Sequence, residues 1–179
     1  MQNFSDRLAI AKHGDLIRQI LATVLVVLSC QVALANEIQG RVVGVSDGDT
    51  ITVLDAKNQQ HKVRLAGIDA PEKSQAFGQA SKKRLSELVF GEAVVVEWQK
   101  LDRYGRIVGK VLLDGSDVCL EQIRKGMAWH YKKYAGGQSA NDRQTYAAVE
   151  ANAREAQLGL WLYANPDPPW DYRHRGRSK

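Results

Sequence analysis

The chain is 179 residues long and 44% hydrophobic, enough for one ordinary domain with a sizeable core and too little for a second independent one. Its net charge is +5, and beyond residue 35 there are 22 basic against 18 acidic side chains. That modest excess favours approach to a polyanion through long-range attraction but selects no function by itself.

The N-terminus reads as an export signal. Arg7, Lys12 and Arg18 make a positive flank, 20–28 is an apolar run, and Ala33-Leu34-Ala35 offers a small-x-small cleavage site before Asn36. From Ile20 to Ala35 is 16 residues, under the roughly 17–25 that span a bilayer. The expectation is a cleaved signal over 1–35 and a secreted or periplasmic product with no stable membrane association. Cys119 is then the sole remaining cysteine, so no internal disulfide forms. Cys30, after Val27-Leu28-Ser29, only loosely fits a lipid-acceptor site, because Leu28 is large for its place.

Residues 38–46 and 50–54 are rich in Val, Ile and Thr and flank Asp47-Gly48-Asp49, which predicts a hairpin with carboxylates at its tip. Three further strands read over 62–68, 93–98 and 107–113. Phe77, Ser81, Leu85 and Leu88 at helical spacing predict a helix over 77–90, and Val118, Leu120 and Ile123 with Gly126 as a stop predict one over 117–125. A third fits 141–158, with Tyr146, Val149, Ala153 and Ala156 as a stripe and Asn141 and Gln144 as a capping box. After Trp161, Asn165-Pro166-Asp167-Pro168-Pro169 cannot continue a helix, and 164–179 reads as an irregular, Pro-rich, basic tail lying partly on the domain. The pattern suits the α+β class, as a five-stranded Greek-key β-barrel of the oligonucleotide-binding (OB) type packed with three α-helices over 36–163. No internal repeat recurs.

Three clusters carry the chemistry: Asp47-Gly48-Asp49-Thr50, the run from Arg64 through Asp69-Ala70-Pro71-Glu72, and Asp102-Arg103-Tyr104-Gly105-Arg106. Taken singly, each has a bland role. Asp47-Gly48-Asp49 is a turn, Arg64 a snorkelling side chain, Glu72 a loop acid and Arg106 part of a solvated turn. Together, Asp49, Asp69 and Glu72 are carried to one hairpin tip and the neighbouring strand end, where like charges repel unless a cation joins them. No cysteine or histidine stands among them, so the ion would be one that prefers oxygen, calcium or magnesium. Arg64 and Arg106 are permanent charges with planar forks suited to phosphate oxygens. Tyr104, Trp129 and Tyr131 offer faces for bases, with core packing the rival role for Trp129. The four histidines, His13, His61, His130 and His174, have no metal-binding spacing, and no serine or cysteine nucleophile motif occurs, so a covalent intermediate is unsupported. The combination points to phosphodiester chemistry.

In order, spacing and context these clusters resemble the staphylococcal-type thermonucleases, or micrococcal nucleases, from about Glu37 to about Trp161. The resemblance implies the same barrel. It implies one calcium ion held by Asp49, Asp69 and the main-chain carbonyl of Ala70, with Asp47 as an outer acid. It puts Arg64, Glu72 and Arg106 on catalytic positions, and Tyr104, Trp129 and Tyr131 on nucleotide-binding ones. The implied activity is sugar-non-specific cleavage of DNA and RNA, single-stranded or locally opened, at the 5′ side of the phosphate to leave 3′-phosphate ends, by a monomer. Three departures stand out. The archetype has a hydroxyl side chain at the place of Ala70 and Tyr at the place of Trp129, and the stretch from Glu72 to Phe77-Gly78 is shorter here. The alternatives are a non-catalytic nucleic-acid-binding module on the same barrel, or an envelope or conjugation-associated protein that binds a partner through its Pro/Trp tail. All three catalytic positions and both metal carboxylates are present, which favours the enzyme.

Overall fold

The computed structural model describes residues 36–175; the expected export signal and Cys30 lie outside the described residues. The chain begins with a meander of β1 (Asn36–Asp47), β2 (Thr50–Asp55) and β3 (Gln60–Leu65), in which Val42, Ile51, Val53, Val63 and Leu65 point inward at the period-two spacing of a half-buried strand. It continues through β4 (Ile68–Asp69), α1 (Gly78–Val89), β5 (Ala93–Leu101), β6 (Ile107–Leu113), β7 (Ser116–Asp117), α2 (Val118–Arg124), β8 (Trp129–His130), α3 (Ala140–Glu155) and α4 (Pro169–Arg175). Two 3₁₀ turns, Lys132–Gly137 and Gly159–Leu162, flank α3.

The main sheet runs β3-β2-β1-β5-β6-β7 and closes on itself through a parallel pairing of β3 with β6, which sets Val63 opposite Ile107 and Arg64 opposite Val108. Strands β1, β2, β3, β5 and β6 thus form a closed five-stranded barrel, as expected of an OB-type α+β fold. Val96 and Val111 join the meander's side chains inside it, and Leu85 and Val89 of α1 and Ile123 of α2 extend the same core. Register shifts in β1 after Val42 and after Val45 mark bulges, which bend a strand shared by two neighbours around the barrel. Among the described residues no helix is long and apolar enough to cross a membrane.

Three expectations change. The strand expected over 62–68 ends at Leu65, because Gly67 takes a positive φ of 73° and turns the chain; Ile68 and Asp69 pair instead with His130 and Trp129 of β8. Helix α3 starts before Asn141: Ser139 is its cap, accepting from the Asp142 N–H at 3.0 Å, so the Asn141/Gln144 box is not used. The tail is not irregular throughout. Pro169 opens α4, since a proline in the first helical position lacks only an N–H that would be unpaired anyway, and α4 joins the three expected helices. The tail docks on a second apolar cluster of Trp129, Ala153, Leu160 and Trp161, against which Phe77 and Trp170 also pack.

Candidate active site

The hairpin tip is built by its neighbours. Asp47 Oδ1 accepts from the Asp49 N–H at 3.2 Å, closing an Asx turn, and the turn rests directly on α1, where a Cβ on Gly48 would fall 1.9 Å from Ser81 Oγ. From α2, the fully buried Gln122 donates to the Gly48 carbonyl at 2.9 Å and to the Ser81 carbonyl at 3.2 Å. The Leu65 N–H donates to the Asp49 carbonyl at 2.8 Å. Asp49 is thereby fixed and buried, with Oδ1 accepting from the Thr50 hydroxyl at 3.0 Å and Oδ2 from the Ala70 N–H at 2.9 Å.

Arg64 lies opposite Thr50 across the β2–β3 ladder, so its guanidinium reaches both aspartates: one nitrogen is 2.7 Å from Asp49 Oδ1 and the other 2.6 Å from Asp69 Oδ1. Burial pushes the Asp49 carboxyl up to about 7; Asp47 and Asp69 add to the rise, while Arg64 and the Ala70 N–H oppose it. Among the described residues no three carboxylate, histidine or cysteine side chains converge as a ready-made metal cage. The groups that could hold an ion are the two aspartate carboxylates and the Ala70 carbonyl, an all-oxygen set that fits a hard cation rather than zinc.

Glu72 follows the buried Pro71 on a loop pinned to the start of α1. Its N–H donates to Gln75 Oε1 at 3.1 Å, its carbonyl accepts from the Gln75 N–H at 2.9 Å, and Gly78 packs so closely that a Cβ there would fall 1.9 Å from the Glu72 carbonyl oxygen. The carboxylate itself stands at the lip, 39% exposed.

Arg106 is held by its own turn. Its Nε and a terminal nitrogen lie 2.8 and 2.7 Å from Asp102 Oδ2, while Asp102 Oδ1 accepts from the Arg106 and Tyr104 amides. Burial raises the Asp102 carboxyl, but the bonds from Arg106 and Tyr104 outweigh it and hold the group below the usual carboxylate range. Arg103 and Arg106 both lie over the exposed Tyr104 ring, 4.8 and 5.5 Å from its centre.

One open cleft of about 1400 Å³ is lined by Asp47, Asp49, Arg64, Ala70, Glu72 and Arg106 together with Tyr104, Trp129 and Tyr131. Asp69 is wholly buried beside Arg64. The structure thus sets the expected residues along one cleft, with Asp69 buried beneath it, and two qualifications apply. Trp129 is only 4% exposed and packs edge-on against Trp161 and Trp170, so it is chiefly core, the rival role, and not an open stacking face. Tyr131 is partly exposed, but one of its faces is parallel to Trp170, with 5.3 Å between ring centres and 6° between planes.

Sequence reasoning missed Gln122, Gln75, Trp170 and Arg173. Arg173 sets its fork on Asp69, at 2.7 Å from Oδ2 and 3.2 Å from Oδ1, and also reaches Glu72 Oε1 at 2.8 Å. Two signals were available: a polar residue on the apolar face of 118–124, and a proline placed where a helix can begin, just before an aromatic and basic run.

Residues 62–163, more than half of the chain, match the family described as "Staphylococcal nuclease homologue". The chain belongs to that family. It is 42% identical over 159 residues to an Escherichia coli protein named "Uncharacterized endonuclease", covering 88% of this chain and 99% of that protein. A Haemophilus influenzae protein of the same name is 41% identical over 160 residues, covering 88% and 86%. A Shigella flexneri protein named "Micrococcal nuclease" is 38% identical over 171 residues, covering 90% and 94%. This member of the staphylococcal nuclease family is accordingly a nuclease, a hydrolase whose substrates are nucleic acids.

Proposed function

We propose that the protein is a calcium-dependent, sugar-non-specific phosphodiesterase that acts outside the cytoplasm on DNA and RNA and leaves 3′-phosphate ends. The observation that carries this reading is the Arg64 fork spanning two buried aspartates, Asp49 and Asp69, in the cleft that also presents Glu72 and Arg106. Asp49, Asp69 and the Ala70 carbonyl would hold the calcium, with Asp47 as an outer acid; when bound, the ion supplies positive charge to a non-bridging phosphate oxygen.

Glu72 is the proton acceptor, exposed enough to meet a water and held in place by Gln75 and Gly78. The water oxygen bonds to phosphorus in line with the 5′ oxygen, its proton passes to the Glu72 carboxylate, and the P–O5′ bond breaks as O5′ takes a proton from solvent water. The phosphate stays on the 3′ side. Arg64 and Arg106 donate to phosphate oxygens as charge grows on five-coordinate phosphorus, with Arg106 also placed for the departing oxygen. A guanidinium carries five N–H donors, and each of these two spends only two on carboxylates. Tyr104 and Tyr131 offer base-tolerant faces, consistent with weak sequence preference.

The test is incubation of the purified protein with single-stranded DNA and with RNA, in calcium and then in excess chelator, with end-group analysis of the fragments. Calcium-dependent cleavage to 3′-phosphates is expected. Products with 5′-phosphates would overturn the assignment of the leaving oxygen, and a calcium-independent mobility shift without cleavage would make the protein a binding module.

A further inference from the structure

Helix α4 is fastened to the loop that bears Glu72. Gln75 donates to the Asp167 carbonyl just ahead of the helix, Ser74 Oγ and the Tyr172 hydroxyl lie 3.0 Å apart, and Arg173 reaches Glu72 and Asp69. On the same helix Trp170 lies flat on Tyr131. We propose that α4 is an intramolecular competitor for the active site, in which Arg173 stands in for the cation on Asp69 and Trp170 stands in for a nucleobase on Tyr131. The proposal rests on the reading of Asp69 as a cation ligand and of Tyr131 as a nucleotide contact.

The geometry puts Arg173 on the oxygens a cation would use. Asp69 is fully buried, and both its oxygens are taken by guanidinium groups: Oδ1 by Arg64 at 2.6 Å and Arg173 at 3.2 Å, Oδ2 by Arg173 at 2.7 Å. Arg173 lies on Oδ2, the oxygen that Arg64 leaves open, and its charge repels a cation approaching there. The same guanidinium lies 2.8 Å from Glu72 Oε1 and so occupies an oxygen that would otherwise meet a water. One side chain therefore silences two groups. Trp170, parallel to Tyr131, covers a face on which a base would stack.

The helix can also leave. At seven residues it is well below the roughly 12–15 needed for an isolated helix to persist, so its order depends on these contacts. Apparent affinity for cation and substrate is then the intrinsic affinity multiplied by the fraction of molecules in which α4 has lifted.

The test uses the full chain and the variants Arg173→Gln and Trp170→Ala, each checked by melting curve. Calcium alone is titrated by calorimetry, and a fluorescein-labelled oligothymidine is titrated in chelator by anisotropy. Arg173→Gln should bind calcium about tenfold more tightly, the scale of one lost charge-assisted contact, and Trp170→Ala should bind the oligonucleotide more tightly than wild type. Weaker or unchanged binding would overturn the proposal, because a helix that helps to hold substrate gives the opposite sign. In the wild type, amide exchange over 166–175 should speed up when calcium and a non-cleavable phosphorothioate oligonucleotide are added; unchanged or slower exchange also overturns it. If neither wild type nor Arg173→Gln binds calcium, the cation assignment fails, and the oligonucleotide and exchange measurements still decide the role of the helix.

Discussion

At the scale of single residues, Glu72 and the arginines differ in what they can lose. Glu72→Gln keeps shape and hydrogen bonding but removes the carboxylate proposed as proton acceptor. Turnover should fall by roughly 10²–10⁴-fold with the fold intact, measured on single-stranded DNA at fixed calcium and salt. Lysine keeps the charge of an arginine but not its fork, so Arg106→Lys, which can no longer grip Asp102 and a phosphate together, should lower turnover by about 10²–10³-fold. Arg64→Lys should do the same and also lower the melting temperature, since one ammonium cannot reproduce the fork between Asp49 and Asp69 and leaves a buried carboxylate poorly paired. Arg124→Lys, exposed on α2 and paired only within its helix, is the control and should change neither rate nor melting. If both core lysine variants keep most of their activity, the arginines supply only charge and the bidentate part of the mechanism fails.

At the scale of elements, two helices hold the Asp47-Gly48-Asp49 turn in register with the barrel. Gly48 touches α1 so closely that an added Cβ would meet Ser81 Oγ at 1.9 Å and Ala70 Cβ at 2.8 Å. Gly48→Ala must therefore lift the turn, carrying Asp49 with it; a stability loss of about 1–3 kcal/mol is expected, together with weaker calcium binding by calorimetry. Gly136→Ala, where nothing lies within 4 Å, should be silent in both measurements. Gln122→Leu leaves the buried Gly48 carbonyl without its 2.9 Å donor and should cost about 1–3 kcal/mol in denaturant unfolding. A variant with wild-type stability would show that water or another group takes over that carbonyl.

At the scale of the whole molecule, closure of the barrel seals its interior from reagents. Cys119 is fully buried, and burial together with Asp117 pushes its thiol up, away from the reactive thiolate. Iodoacetamide treatment of the folded protein followed by peptide mapping should leave Cys119 unmodified, and denaturation should expose it. Rapid labelling under native conditions would mean that α2 opens readily. The export reading makes a second whole-chain prediction: protein recovered from the cell envelope or medium should begin at Asn36 by mass analysis. A Met1 start or a lipid on Cys30 would refute it.

Much of the fold was legible in local pattern. Period-two runs of Val and Ile specified the barrel strands, Asp-Gly the hairpin, Leu85 and Ile123 the inward faces of two helices, and the three charged clusters the residues that line the cleft. These signals are legible because alternation and turn chemistry act between near neighbours. Tertiary structure decided the rest. That Trp129 is core follows from Trp161 and Trp170, which lie far along the chain and close over it. The turn at Gly67 ends the strand after Leu65, and β8 then decides where Ile68 and Asp69 go, taking them into a separate pairing. The charge of the site was settled the same way. Arg173 stands 104 positions from Asp69, and no local pattern reports a side chain that arrives from such a distance to occupy a buried carboxylate.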